Sequence, residues 1–102
     1  STGFSIAIPS PNWGCFFTPR SGLGIRNGII LGNTIGVIDS DYRGTCLLSV
    51  WNRRDISFKV TPGMRIAQMI FLPVGLPHLN VVEEHNDISV RGSGGLGSTG
   101  VL

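Results

Sequence analysis

The sequence is poor in charged residues. Only 14% of its 102 residues are charged, whereas about 25% is usual for a globular domain. Lysine and arginine exceed the acids by 8 to 6, which gives a net charge of +2, and no basic run occurs. General nucleic-acid binding is therefore not predicted. Because the mean hydropathy is also positive, at +0.25, we expect another subunit to cover part of the apolar surface.

Cysteine and long apolar runs are scarce as well. Cys15 and Cys46 lie in strand-like segments without metal-binding spacing, so they are predicted to be reduced thiols of the core. No apolar run reaches the roughly 20 residues that a bilayer-spanning helix needs, and no membrane partner is expected. The sequence also lacks a Walker-type lysine loop, a Ser–His–Asp order and zinc-ligand spacing, so the common motifs of those sites are not present.

Glycine and proline are abundant instead, with 15 and 6 residues. They separate short apolar or alternating segments, and no helical periodicity of useful length is present. The sequence therefore predicts one all-β domain of the sandwich or jelly-roll kind. The predicted strands are residues 4–8, 13–17, 27–31, 46–51, 56–60 and 66–74.

The stretch 36–44 is rich in polar and ionisable side chains, with the sequence Gly-Val-Ile-Asp-Ser-Asp-Tyr-Arg-Gly. We expect it to be one arm of a β-hairpin whose other arm is 27–31. Strand alternation would place Asp39 and Asp41 on the same face. Two neighbouring carboxylates repel each other, so the pattern indicates a site with a cation or hydrogen-bond donors nearby. The alternative is an Asp-rich turn with a capping role.

Three further polar segments point to anion binding. Arg20-Ser21-Gly22 follows a predicted strand and can aim backbone N–H groups and a guanidinium at an oxyanion, unless it is only a glycine turn with a surface arginine. Gln68 interrupts an aliphatic strand and needs a partner, either the backbone or a polar pocket. The glycine-rich tail, residues 91–102, suits a segment that closes over a phosphate, or a flexible linker.

In order and spacing these segments resemble the trimeric dUTPase family, most closely its bacterial branch. The resemblance covers essentially the whole chain. It implies a homotrimer with a dUTPase-like β-clip, a distorted jelly roll, in residues 1–90, followed by a flexible, phosphate-closing tail in residues 91–102. The matching segments are 19–24, 31–33, 36–44, 49–53, 65–70 and the tail.

The resemblance also implies an enzyme, a dUTP diphosphatase that hydrolyses dUTP to dUMP and pyrophosphate. Such an enzyme keeps uracil out of DNA and supplies dUMP for thymidylate synthesis. Asp39 would be the general base that deprotonates the attacking water. Tyr42 would pack on the deoxyribose and exclude ribose, and Asn33 would read the uracil edge with the nearby backbone. The other substrate-binding residues implied are Gly36 and Ile38 at the nucleoside, Arg20, Ser21, Gly22 and Gln68 at the phosphates, and Arg91, Gly95, Leu96, Gly97, Ser98 and Thr99 in the tail.

The cofactor implied is Mg²⁺, bound by the triphosphate oxygens and water rather than by protein ligands. The resemblance further implies active sites assembled from more than one chain, a cytoplasmic location and no direct nucleic-acid binding.

Two departures from the family pattern leave alternatives open. The family's first motif, Ala-Gly-x-Asp, is missing before Ser1, so we expect the working molecule to contain a further N-terminal strand and an acidic residue near the phosphates. In the tail, Leu96 replaces an aromatic residue that stacks on uracil, which reduces the contact with the base. The alternatives are a catalytically weakened or silent dUTPase-like interaction protein, and the related dCTP deaminase branch.

Overall fold

The regular structure of this computed structural model consists almost entirely of strands. The structure describes residues 1–100, so the last two residues of the predicted tail, Val101 and Leu102, lie outside the described residues. Within that range, the elements are β1 (Trp13–Pro19), a short helical turn with π-type hydrogen bonding (Leu23–Asn27), β2 (Ile29–Leu31), β3 (Gly36–Ile38), β4 (Val50–Asn52) and β5 (Ala67–Pro73). The predicted all-β class is confirmed.

The strands form two antiparallel sheets. The first has the order β3-β1-β5, and the second pairs β2 with β4. In the first sheet Cys15 of β1 stands opposite Ile38 of β3 on one side and Phe71 of β5 on the other. Cys15 and Phe17 are buried, because alternate residues of β1 face the interior.

A small apolar cluster joins the two sheets. Phe17, Leu31 and Cys46 are buried together, so β1, β2 and the segment before β4 meet there. The partly buried side chains packed on this cluster are Ile6, Ile38, Leu48 and Ala67. Both cysteines are buried and unpaired, which confirms that they are reduced core thiols.

Much apolar surface stays open in the single chain. Met69 and Phe71 on one face of β5 are 39% and 47% exposed, and Leu72 on the other face is 48% exposed. The radius of gyration is 19.1 Å, whereas a compact chain of 100 residues has about 13 Å. Residues 75–93 are all exposed, so this segment makes few contacts with the rest of the single chain. No helix within residues 1–100 has the length and apolar character needed to cross a membrane.

Several predicted strand assignments are wrong. Residues 27–31 and 36–44 do not pair with each other, since β2 pairs with β4 and β3 pairs with β1. In the described chain, residues 4–8 and 56–60 form no strand, and only the end of 46–51 does. An alternating pattern requires only that one face of the segment is buried. A strand also requires a neighbouring backbone that forms hydrogen bonds with it along its length.

Candidate functional site

A polar cleft of about 410 Å³ lies where β1 ends. It brings together four of the residues that the sequence predicts to bind phosphates: Arg20, Ser21, Gly22 and Gln68. Leu23, Arg26 and Asn27 complete its lining. Of these described lining residues, two are arginines and none is a carboxylate. The arrangement therefore suits an oxyanion ligand.

The strand pairing explains why these residues meet. Thr18 of β1 stands opposite Gln68 of β5, so the two segments that carry the cleft leave the sheet side by side. Gln68 donates from Nε2 to the carbonyl oxygen of Pro19 at 3.2 Å, and it also lines the cleft. Both partners that the sequence left open for this glutamine, the backbone and a polar pocket, are thus present. Arg20 donates from Nη1 to the carbonyl oxygen of Arg65 at 3.2 Å.

The helical turn that lines one side of the cleft is hydrogen-bonded to the residue that follows β4 of the second sheet. Arg53 donates from Nη2 to the carbonyl oxygen of Gly24 at 3.1 Å and from its backbone N–H to Gly28 at 2.9 Å. Gly28 ends the turn with φ of 69°, a left-handed conformation that favours glycine. A side chain there would also meet Arg54, whose Cγ is 2.9 Å from an ideal Cβ. The turn therefore has a fixed position against β4.

Sequence reasoning missed Arg26 and Asn27 as members of the cleft. They belong to the helical turn, and a helical element of five residues is too short for its periodicity to show in the sequence. The signal that could have found them is the polar pair Arg26-Asn27 itself, which begins four residues after Gly22.

The predicted nucleoside-binding residues form a second group around β3. A tight turn joins β2 to β3, with Thr34 N–H bonded to Leu31 at 3.0 Å and Ile35 N–H bonded to Asn33 at 2.7 Å. Thr34 has φ of 64°, an unusual value for a β-branched residue. The Asn33 side-chain amide lies 3.7 Å from where a Cβ on Gly36 would be, so Asn33 is held near the start of β3.

Asp39 begins a turn directly after β3. The Tyr42 N–H donates to the Asp39 carbonyl oxygen at 3.1 Å, and Arg43 donates from Nη1 to Ser40 at 2.6 Å and to Tyr42 at 3.1 Å. The prediction that Asp39 and Asp41 share one face of a strand is wrong, because β3 ends at Ile38. The local structure is the Asp-rich turn that the sequence left as the alternative.

Within one chain the two groups are well separated. Ile38 of β3 stands opposite Cys15 of β1. Because the two strands are antiparallel, the next residue, Asp39, lies near Gly14. Arg20 lies six residues further along the chain, which corresponds to about 20 Å in an extended strand. By this estimate, Asp39 and the polar cleft of the same chain are too far apart to contact one phosphate group.

The tail residues are almost all exposed. The hydrogen bonds seen for residues 91–100 are local: Arg91 donates from Nε to Gly94 at 2.5 Å, and Gly92 donates to the Ser89 hydroxyl at 3.0 Å. Gly95, Leu96, Gly97, Ser98 and Thr99 lie in this exposed segment and are not brought to the cleft by such bonds. Among residues 1–100, no group of three or more His, Cys, Asp or Glu side chains could hold a metal ion.

A protein-family model described as dUTPase matches residues 1–100. The chain belongs to the dUTPase family. This assignment confirms the family that the segments 19–24, 36–44 and 65–70 indicated.

Bacterial relatives agree with the assignment. The deoxyuridine 5'-triphosphate nucleotidohydrolase of Hamiltonella defensa subsp. Acyrthosiphon pisum is 52% identical over 97% of this chain and 65% of its own length. The Psychrobacter sp. protein of the same name is 50% identical over 97% of this chain and 64% of its own length. This dUTPase-family chain thus spans about 65% of the first of these curated relatives.

A solved structure confirms the dUTPase fold. The dUTPase of Staphylococcus bacteriophage 80alpha, determined with dUPNHPP, superimposes with a TM-score of 0.81 at 27% sequence identity. The match covers 95% of this chain and 72% of the phage protein.

Proposed function

We propose that this chain carries the machinery of a dUTP diphosphatase, which hydrolyses dUTP to dUMP and pyrophosphate. Its bacterial relatives are named deoxyuridine 5'-triphosphate nucleotidohydrolases, and the similar phage dUTPase was solved with dUPNHPP. The substrate and reaction of those longer proteins are extended here to this chain. The proposed location is the cytoplasm, where a nucleotide pool would be the substrate source.

The observation that carries the proposal is the separation between Asp39 and the cationic cleft. A base about 20 Å from the phosphate-binding residues of its own chain can act only if a second chain supplies the other half of the site. The exposed apolar residues of β5, such as Phe71 at 47% and Leu72 at 48%, offer surface for that association. We therefore propose a homotrimer whose active sites are shared between subunits.

Each group of residues then has a defined task. Asp39 would take the proton from a water that attacks the α-phosphorus, a role that requires hydrogen-bond contact with that water. Tyr42 would cover the deoxyribose, and Asn33 would bind the uracil edge together with backbone at Gly36 and Ile38.

The phosphates would bind in the cleft of Arg20, Ser21, Gly22 and Gln68, where Arg26 adds positive charge. Because a guanidinium binds phosphate oxygens through paired N–H donors, this cleft favours a triphosphate over a neutral ligand. The exposed tail would close over the bound phosphates. The tail residues in this proposal are Arg91, Gly95, Leu96, Gly97, Ser98 and Thr99.

Mg²⁺ is the proposed cofactor, but the residues described here do not fit a protein-held cation. The cleft is lined by arginines, and within residues 1–100 no acidic or histidine cluster could bind a metal. The ion would instead arrive on the triphosphate, where it neutralises phosphate charge.

The test is pyrophosphate release from dUTP by the assembled protein in the presence of Mg²⁺, with UTP as the matched control. We expect release from dUTP and little from UTP. Size-exclusion chromatography with light scattering on the same sample measures whether the active species is a trimer. Equal turnover of both nucleotides, or activity in a monomer, would contradict the proposal.

A catalytically weakened nucleotide-binding protein is the second candidate. It is favoured by Leu96, a fully exposed aliphatic residue at the tail position where the family pattern has an aromatic one. Calorimetric binding of dUTP without pyrophosphate release would support this candidate over the enzyme.

A further inference from the structure

The ring of Tyr42 occupies the space in which a side chain at position 44 would lie. An ideal Cβ on Gly44 would stand 2.6 Å from Cζ and 3.0 Å from Cε1 of Tyr42, and it would overlap the hydroxyl oxygen. Real Cβ atoms essentially never lie as close as the distances to Cζ and the hydroxyl oxygen, so the Tyr42 side chain would have to move. Gly44 is outside the set of glycines with positive φ, so its backbone conformation does not require glycine. A side chain at position 44 would instead push the end of the Tyr42 side chain aside.

Two further hydrogen bonds hold Tyr42 in the loop, one from its hydroxyl and one from its backbone. Tyr42 donates from its hydroxyl to the Thr45 carbonyl oxygen at 3.0 Å, and its N–H closes the turn that begins at Asp39. The side chain is nevertheless 42% exposed. The hydroxyl end of the ring therefore lies against the loop at Gly44 and Thr45, and the exposed part of the ring is open to a ligand.

We propose that Gly44 is a positioning residue for nucleotide specificity. Gly44 leaves room for the Tyr42 ring against the loop. It thereby determines the distance between the exposed part of the ring and the sugar of a bound nucleotide. A ring displaced by even a methyl group would no longer exclude a 2′-hydroxyl to the same extent. This inference rests on the proposed function, since it assigns the deoxyribose preference of that site to a contact between Gly44 and Tyr42.

The first measurement is the ratio of kcat/KM for dUTP to that for UTP. In Gly44→Ala we expect this ratio to fall by about tenfold or more. The control is Gly75→Ala, because Gly75 has no atom within 4 Å of an added Cβ and no positive φ; its ratio should equal that of the parent. In a Tyr42→Ala background, Gly44→Ala should change the ratio by less than about twofold, since residues that act through one contact are not additive.

A second measurement is independent of activity. Tyr42 is the one tyrosine of the chain, so a fluorinated tyrosine gives a single fluorine resonance that reports on this ring. Gly44→Ala should shift this resonance, and Gly75→Ala should leave it in place. Because Gly44 is exposed and its φ is not in the left-handed range, we expect the variant to fold.

The outcomes separate this inference from the proposed function. A shifted resonance with an unchanged dUTP-to-UTP ratio would overturn the role of Gly44, as would an unshifted resonance. A parent that hydrolyses neither nucleotide would refute the proposed function. The inference would then be decided by the ratio of dUTP and UTP dissociation constants: it stands if Gly44→Ala narrows that ratio and falls if the ratio is unaltered.

Discussion

Arg53 donates a hydrogen bond from its guanidinium to the carbonyl oxygen of Gly24, at 3.1 Å and across 29 residues of sequence. Gly24 lies in the helical turn that forms one wall of the cationic cleft, and Arg53 follows β4 directly. The cleft therefore depends on a residue that does not line it.

Arg53→Met should loosen this wall while it keeps most of the aliphatic stem. We expect KM for dUTP to rise several-fold, and the free energy of unfolding to fall by about 1 kcal/mol, since the lost hydrogen bond is charged but lies near solvent. The matched control is Lys59→Met, which removes an exposed cation elsewhere on the surface. Steady-state kinetics and urea unfolding measure both effects. An equal rise in KM in the two variants would mean that only net charge matters.

Asp39→Asn tests the proposed base. The amide keeps the size of the side chain but cannot accept a proton, so kcat should fall by roughly 10²–10⁴ while dUTP still binds. Asp41→Asn is the control, because this exposed acid lies in the same turn. We expect it to retain turnover within about tenfold of the parent, a smaller loss than a missing general base causes. If Asp39→Asn has the turnover of the parent, the base lies elsewhere.

A chain that ends at Val90 tests the tail. The hydrogen bonds of residues 91–100 are local, and Leu96 is fully exposed, so the truncation removes little that stabilises the fold. We expect near-parent thermal stability together with a severe loss of dUTP turnover. A large fall in Tm would show instead that the tail is a structural part of the assembly.

The pKa of the Cys15 thiol is raised above its ordinary value of 9.0, first because the side chain is buried and second because Cys46 lies near it. Above pH 9 the unfolded chain loses this proton while the folded chain keeps it. Stability should therefore fall as the pH rises through that range, by at most about 1.4 kcal/mol per pH unit from this group. Urea unfolding of the parent and of Cys15→Ser between pH 7 and 10 measures the difference, and parallel curves would contradict the assignment.

Short-range patterns in the sequence were enough to predict the longest strands and some turns. The apolar segments 13–17 and 66–74 correspond to β1 and β5. The order Thr61-Pro62-Gly63 is typical of a turn, and the structure has one there, with Met64 N–H bonded to the Thr61 carbonyl oxygen at 3.1 Å and φ of 81° at Gly63. Proline fixes one φ and glycine permits the other, so this conformation is decided by neighbours in the chain.

The sequence also indicated which residues line the polar cleft. Arg20, Ser21, Gly22 and Gln68 do line one cleft, and the family assignment followed from segments that are contiguous in the chain. Their residue types indicate anion binding because guanidinium and backbone N–H groups are strong hydrogen-bond donors to an oxyanion.

Only the tertiary structure decided how these pieces are arranged. The pairing of β3 with β1, rather than with β2, separates Asp39 from the cleft of its own chain, and residues 56–60 form no strand despite their alternation. A period-two pattern states which face of a segment is apolar but not which backbone will accept its hydrogen bonds. That choice depends on contacts between residues distant in sequence.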